Sequence, residues 1–281
     1  MKVTYDHVSF AYQTTAALKD VSCEFESGRT ALVVGHNGSG KSTFLKLMNG
    51  ILKPASGHVH LGETETSGKQ TSELARSCSL SFQNPDDQLF APTVEKELRF
   101  GIENIGGDGS LLDPVVETFH LGDHLKSNPY SLTYAQRRLV AIAGSAAMDT
   151  PILALDEPTA GLSIREKRNL GDLILFLKGR GKTIIIVTHD LNQLLPYADD
   201  LLLLSHGAVQ FNGRRDDLFG RKDARELMKR SGISFPVYAR ISTAIGLENP
   251  SFGADEIIEG LLKKRAGAAQ RTNGQHQLEG A

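Results

Sequence analysis

Short runs of consecutive apolar residues alternate with amphipathic stretches from Lys2 to about Leu218. Thr30 to Val34, Pro151 to Leu155 and Thr183 to Val187 are runs of this kind, and a run without polar alternation suits a strand buried on both faces of a central sheet. The amphipathic stretches between them predict covering helices, so residues 1–218 read as an α/β domain with a parallel or mixed sheet. Ser42 to Met48 has helical character and stops at Asn49-Gly50. Between Pro85 and Ala147 the β-branched runs give way to helical patterns around Thr93 to Phe100, Leu111 to Phe119 and Ala135 to Ala147. That change predicts a helical subdomain over about 85–147, inserted into the sheet.

After Leu218 the pattern shifts to a C-terminal extension, 219–262, whose short helical segments are broken by Gly232, Pro236, Gly246 and Pro250. Its apolar patches, Ile233 with Phe235 and Val237 with Tyr238, are too small for a core of their own and are expected to pack on the preceding domain or on a partner chain. Residues 263–281 are polar and predict a disordered tail.

The composition, 40% hydrophobic and 23% charged over 281 residues, belongs to an ordinary folded chain. Lys plus Arg at 31 against Asp plus Glu at 33 gives a net charge of −2, which removes the electrostatic basis for sequence-independent nucleic-acid binding. Apolar runs such as Leu201 to Leu204 fall far short of the ~20 residues that cross a bilayer. The opening MKVTYDHVSF puts polar residues where a signal peptide needs its apolar block, and Cys23 with Cys78 offers no disulfide framework, so a reducing compartment is expected.

The chemistry sits where the apolar runs end, at the strand edge where ligands collect in open α/β sheets. Gly35-His36-Asn37-Gly38-Ser39-Gly40-Lys41-Ser42, followed by Thr43, fits G-x-x-x-x-G-K-[ST] between a strand and a helix. Such a loop wraps backbone N–H groups around a polyphosphate at a helix N-terminus, with Lys41 reaching the β- and γ-phosphates and the Ser42 hydroxyl ligating Mg²⁺. Ile152 to Glu157 places two adjacent carboxylates at the end of a buried strand, Asp156 toward the Mg²⁺ shell and Glu157 toward an attacking water. Thr188-His189-Asp190 ends the next run, where His189 can contact a γ-phosphate.

Together these motifs resemble the ATP-binding cassette (ABC) ATPases over roughly Lys2 to Leu218. The resemblance implies a P-loop core, an antiparallel β part, an inserted helical subdomain and a small C-terminal helical extension. It places Tyr12 like the aromatic that stacks on adenine, and Gln83 like the glutamine linking the helical subdomain to metal and water. The stretch Phe82-Gln83-Asn84-Pro85-Asp86-Asp87-Gln88-Leu89-Phe90-Ala91-Pro92-Thr93-Val94, followed by Phe100-Gly101, resembles the ATPases of energy-coupling factor (ECF) importers of vitamins and transition-metal ions. This implies ATP and Mg²⁺ as cofactors, a second ATPase, an integral transmembrane coupling protein, a substrate-capture membrane protein, and a peripheral place on the cytoplasmic face of the membrane. It also favours the C-terminal extension as a contact between the two ATPases.

The chain departs from this family pattern in two places. The usual signature Leu-Ser-Gly-Gly-Gln reads Leu132-Thr133-Tyr134-Ala135-Gln136, and Thr159-Ala160-Gly161-Leu162 runs into Ser163 where an Asp is usual. In the family, each signature acts on the nucleotide bound by the opposite subunit, so the altered motif implies a non-identical partner whose own signature is intact. Two rival readings remain open, a regulatory nucleotide-binding subunit with weak hydrolysis and an ATPase of another ABC importer. The altered signature favours the first, and intact Lys41, Asp156, Glu157 and His189 oppose it. A soluble ATPase of DNA repair or translation is disfavoured by a single cassette without sustained heptads.

Overall fold

The computed structural model describes residues 1–247 and 250–265. The strands are β1 (Val3–Tyr12), β2 (Thr15–Phe25), β3 (Thr30–Val34), β4 (Ser56–Leu61), β5 (Thr64–Glu65), β6 (Cys78–Ser81), β7 (Ile152–Asp156), β8 (Thr183–Thr188), β9 (Asp200–Ser205) and β10 (Ala208–Arg214). The helices are α1 (Lys41–Met48), α2 (Thr71–Leu74), α3 (Val94–Ile105), α4 (Leu112–Thr118), α5 (Tyr134–Ala147), α6 (Ile164–Gly179), α7 (Leu191–Leu194), α8 (Arg215–Gly220), α9 (Ala224–Arg230) and α10 (Val237–Ala244). Among the described residues no helix is long and apolar enough to cross a membrane.

The central sheet has the order β10-β9-β3-β8-β7-β6, parallel except for the hairpin strand β10. A second, antiparallel sheet has the order β2-β1-β4-β5. All residues of β3, β7 and β8 are buried, as expected of unalternated apolar runs covered on both faces. Alternation survives inside the burial. Ala31 and Val33 join the cluster under the antiparallel sheet with Val3, Tyr5, Phe25 and Phe44, while Leu32 and Val34 face the helices α5 and α6. Tyr5 stacks on Phe44 at 4.0 Å and donates to its carbonyl at 2.7 Å, so the antiparallel sheet grips α1 directly.

Because β3, β7 and β8 run parallel, their C-terminal ends come out on one edge, with Val34 opposite Thr188 and Asp156 opposite Val187. The loop at Gly35, the carboxylates and His189 therefore converge. The helical patterns expected after Pro85 form α3, α4 and α5. Thr93 caps α3 by accepting from the Lys96 N–H, and Gly106 ends it in the left-handed region.

Residue 218 falls inside α8 and is not a break in structure. Leu218, Phe219, Met228, Ile233, Ala239 and Phe252 belong to the same buried cluster as Leu191, Leu194 and Leu201 of the preceding domain. A fully buried side chain of this kind is worth about 1.5–3 kcal/mol over an exposed one, so the extension is held to its own cassette. Arg215 adds a lid, with its guanidinium 4.2 Å from the Phe252 ring and a 2.9 Å bond to the Leu195 carbonyl. Of the patches expected to seek a contact, Ile233 is buried within the chain and Val237 is exposed. The tail expected from Lys263 begins inside a helical segment at 254–265, and 266–281 lie outside the described residues.

Candidate active site

The phosphate loop leaves β3 at Gly35 and enters α1 at Lys41. Gly40 caps that helix at φ 105°, and a Cβ there would lie 2.5 Å from the Ala17 carbonyl oxygen, so only glycine lets β2 pass this close. Lys41 is buried and donates to the carbonyls of Gly35 at 2.8 Å and His36 at 3.1 Å. Burial lowers its pKa, against the pull of Glu157 and Asp156. The Ser39 hydroxyl is buried without a partner among the described residues. Asn37 and Gly38 are exposed at the tip, with the Asn37 carbonyl 2.7 Å from Nδ1 of His36. Tyr12, half exposed at the end of β1, reaches the Thr43 hydroxyl with its own at 3.4 Å. The structure thus gathers Tyr12 and Thr43 beside the loop.

Asp156 closes β7 and is buried, with Oδ1 lacking any partner among the described residues. Burial raises its pKa, and the neighbouring Ser42 hydroxyl works in the opposite direction. An orphaned carboxylate oxygen beside a hydroxyl is a hard-oxygen donor set that suits Mg²⁺, so Asp156 and Ser42 fit the ion. Glu157 sits at φ 48° and donates its N–H to the Val187 carbonyl at 2.8 Å. Its Oε1 lies 2.8 Å from Nδ1 of His189, and its Oε2 accepts the His189 N–H at 3.3 Å. Gln83 is exposed, and its backbone carbonyl is anchored to Arg138 of α5 at 2.5 Å.

The altered signature starts α5. Thr133 is its N-cap, accepting the Gln136 N–H at 3.3 Å and donating to Gln136 Oε1 at 3.1 Å, while Gln136 Oε1 also accepts the Thr133 N–H at 3.0 Å. Leu132 is buried, Ala135 is half-buried, and Tyr134 is 42% exposed. The Tyr134 ring covers Gly161, where a Cβ would meet its Cδ1 and Cε1 at 2.9 Å. Ser163, standing where Asp is usual, caps α6 in a capping box with Glu166. The two departures are therefore joined inside the chain through Tyr134 and Gly161.

Sequence reasoning noted Arg138 only within the Arg137-Arg138 pair that typically follows the signature, assigning it no role, and did not single out His206. Arg138 is fully buried between the carboxylate strand and the Gln83 loop, and the His206 ring lies 4.7 Å from that of His36. An arginine in an amphipathic helix reads as a solvated residue, so the only signal for Arg138 was its place just after the signature.

Comparison with known proteins agrees with this geometry. The ABC transporter family matches residues 18–160. The energy-coupling factor transporter ATP-binding protein EcfA2 of Halalkalibacterium halodurans is 36% identical over 88% of this chain and 93% of its own. Its counterpart in Lacticaseibacillus paracasei is 33% identical over 93% and 95%. Among solved structures, CbiO1 from Clostridium perfringens, part of the ABC transporter complex CbiONQ, is 28% identical with a TM-score of 0.68, covering 86% of this chain and 98% of that one. A phosphate loop, paired strand-end carboxylates and a histidine on one sheet edge, in a chain this similar along its length, make it a member of the ABC transporter ATPases and, within them, of the ECF transporter ATP-binding proteins.

Proposed function

We propose that this chain binds ATP with Mg²⁺ and hydrolyses it as one of two non-identical ATPases that drive an ECF-type importer of a vitamin or a transition-metal ion. The observation that carries the reading is the convergence of Lys41, Asp156, Glu157 and His189 on one edge of the central sheet. Lys41 exchanges its bonds to the Gly35 and His36 carbonyls for phosphate oxygens. Asp156 and Ser42 would hold Mg²⁺, which when bound would supply charge neutralisation on the phosphates. Glu157, held by two contacts to His189, keeps one orientation in which to polarise the attacking water, and Gln83 stands on the loop that Arg138 ties to the same strand end. Tyr12 offers the base a stacking surface.

The partner is read from the signature. Thr133 directs its hydroxyl to Gln136, and side chains at Tyr134 and Ala135 crowd the backbone N–H groups that a γ-phosphate needs. This chain's signature therefore serves the partner's nucleotide poorly, while its own nucleotide meets the partner's signature. That division supports a partner with an intact motif.

A membrane partner is read from the helical subdomain. Phe90 and Phe100 pack edge to face at 4.5 Å, are 58% and 46% exposed, and line a groove with Pro92, Lys96 and Arg99. An exposed aromatic pair flanked by Lys96, Arg99 and Glu103 suits a cytoplasmic helix of an integral coupling protein. A separate membrane protein captures the substrate, and the chain works as a peripheral subunit on the cytoplasmic face. Glu157→Gln tests the hydrolytic reading. The complex carrying it should still bind ATP and release almost no phosphate. Phosphate release at the original rate would overturn the assignment.

A further inference from the structure

Arg138 is 0% exposed, yet among the described residues it forms no ion pair. Its guanidinium donates through Nη1 to the carbonyls of Phe82 and Gln83, the latter at 2.5 Å, and through Nη2 to those of Asp156 and Glu157, the latter at 2.7 Å. The neighbouring Arg137 is half-buried, pairs with Asp86 at 2.9 Å and donates to the Leu132 carbonyl at 2.8 Å. A charge taken wholly out of water is costly unless its donors are satisfied; here four carbonyls from two separate segments hold both terminal nitrogens, Nε is left without a partner among the described residues, and the span of the fork marks a specific demand on this position.

The placement solves a conflict at the site. Two buried carboxylates, Asp156 and Glu157, need positive charge nearby, but a cation bonded to their oxygens would occupy the positions a metal and a water require. Arg138 takes the backbone carbonyls of the same two residues. Asp156 Oδ1 is left without a partner, and the Glu157 oxygens are left to His189. The other half of the fork holds Gln83 by its backbone, and the stem belongs to the helix that begins with the signature. Only a planar fork with several fixed donors spans both segments; a lysine ammonium is a point charge with three.

We propose that Arg138 is a positioning residue for hydrolysis, locking the backbones of Gln83, Asp156 and Glu157 into one unit carried by α5 while leaving their side chains free for metal and water. The proposal rests on the ATPase reading above. Arg138→Lys keeps the buried charge and loses the span. In the full complex this variant should bind ATP without Mg²⁺ as tightly as the original, and its KM should hardly move. Its kcat should fall by about tenfold or more, and half-maximal rate should need several times more Mg²⁺. Amide exchange should rise in residues 82–84 and 156–157 while the β8 residues 184–187 keep their protection.

A purely structural role would lower the melting temperature and leave kcat per folded molecule and its Mg²⁺ dependence unchanged. That outcome, or unaltered exchange in both segments, would overturn the proposal. Because the exchange measurement needs no turnover, an original complex that failed to hydrolyse ATP would refute the ATPase reading and still leave the backbone lock directly tested.

Discussion

At the C-terminal edge of the central sheet, Lys41, Asp156, Glu157 and His189 turn their polar atoms toward a common space, whereas at the start of α5 the Thr133 hydroxyl is committed to Gln136 and the Tyr134 ring lies over Gly161. The first region stands on three parallel strands whose ladder fixes the position of each strand end, and every member of it belongs to one chain. The second is a helix N-terminus made self-sufficient by a capping box. Its function in the family is directed at another chain. The contrast teaches that the altered signature lies apart from Lys41, Asp156, Glu157 and His189, so under the proposed function its loss of glycines bears on a partner's site and not on these residues.

The largest effect that would sharpen this contrast comes from Lys41→Ala. Removing the loop's only side-chain cation should weaken ATP binding by at least about 1.5–3 kcal/mol, roughly tenfold or more, in a direct titration. Unchanged affinity would break the reading of the strand-end region.

A smaller effect probes the contact between the two regions. Gly161 has φ 75°, and its missing Cβ makes room for Tyr134. Gly161→Ala should cost about 1–2 kcal/mol from the left-handed backbone alone, with a further loss from the displaced ring. Tyr134→Ala in the same chain should recover the second part and not the first. Additive losses in urea melts would mean that the ring and the glycine are not coupled.

The smallest effect lies far from both regions and serves as their control. On the antiparallel sheet, the hydrogen bond that the His7 ring donates to Asp20 at 2.7 Å raises the His7 pKa, and Glu65 raises that of His58 in the same way. A histidine whose folded pKa is raised contributes stability in full below its ordinary value of about 6.5, and the contribution is lost as pH rises through the folded pKa. His7→Asn, which tolerates the positive φ at this position, should therefore lower the melting temperature slightly near pH 5 and not at about pH 8, with ATP turnover unaffected. A pH-independent difference would contradict the assignment.

The difference between regions also explains what the sequence made legible. Pro151 to Leu155 and Thr183 to Val187 announced buried strands because burial on both faces leaves no polar alternation, and β7 and β8 form within a residue of those runs. The strand-end residues were legible because each is a chemical type at a fixed offset from such a run. Arg138 was not, because its partners are backbone carbonyls, which every sequence offers everywhere. The Tyr134–Gly161 contact was hidden for a related reason: the tertiary fold creates it, and no local spacing reports it. The packing of the extension was not legible because patches as short as Ile233 with Phe235 do not reveal that they join a neighbouring buried cluster.

The unequal pair is tested most directly by matched substitutions in the assembled complex, Glu157→Gln in this chain and the corresponding glutamate to glutamine in the partner ATPase, with ATP turnover as the readout. An asymmetric pair loses most of its turnover with the first and much less with the second. Equal losses, or brisk hydrolysis by this chain purified alone, would contradict the asymmetry and leave Leu132 to Gln136 as a tolerated variant of the signature.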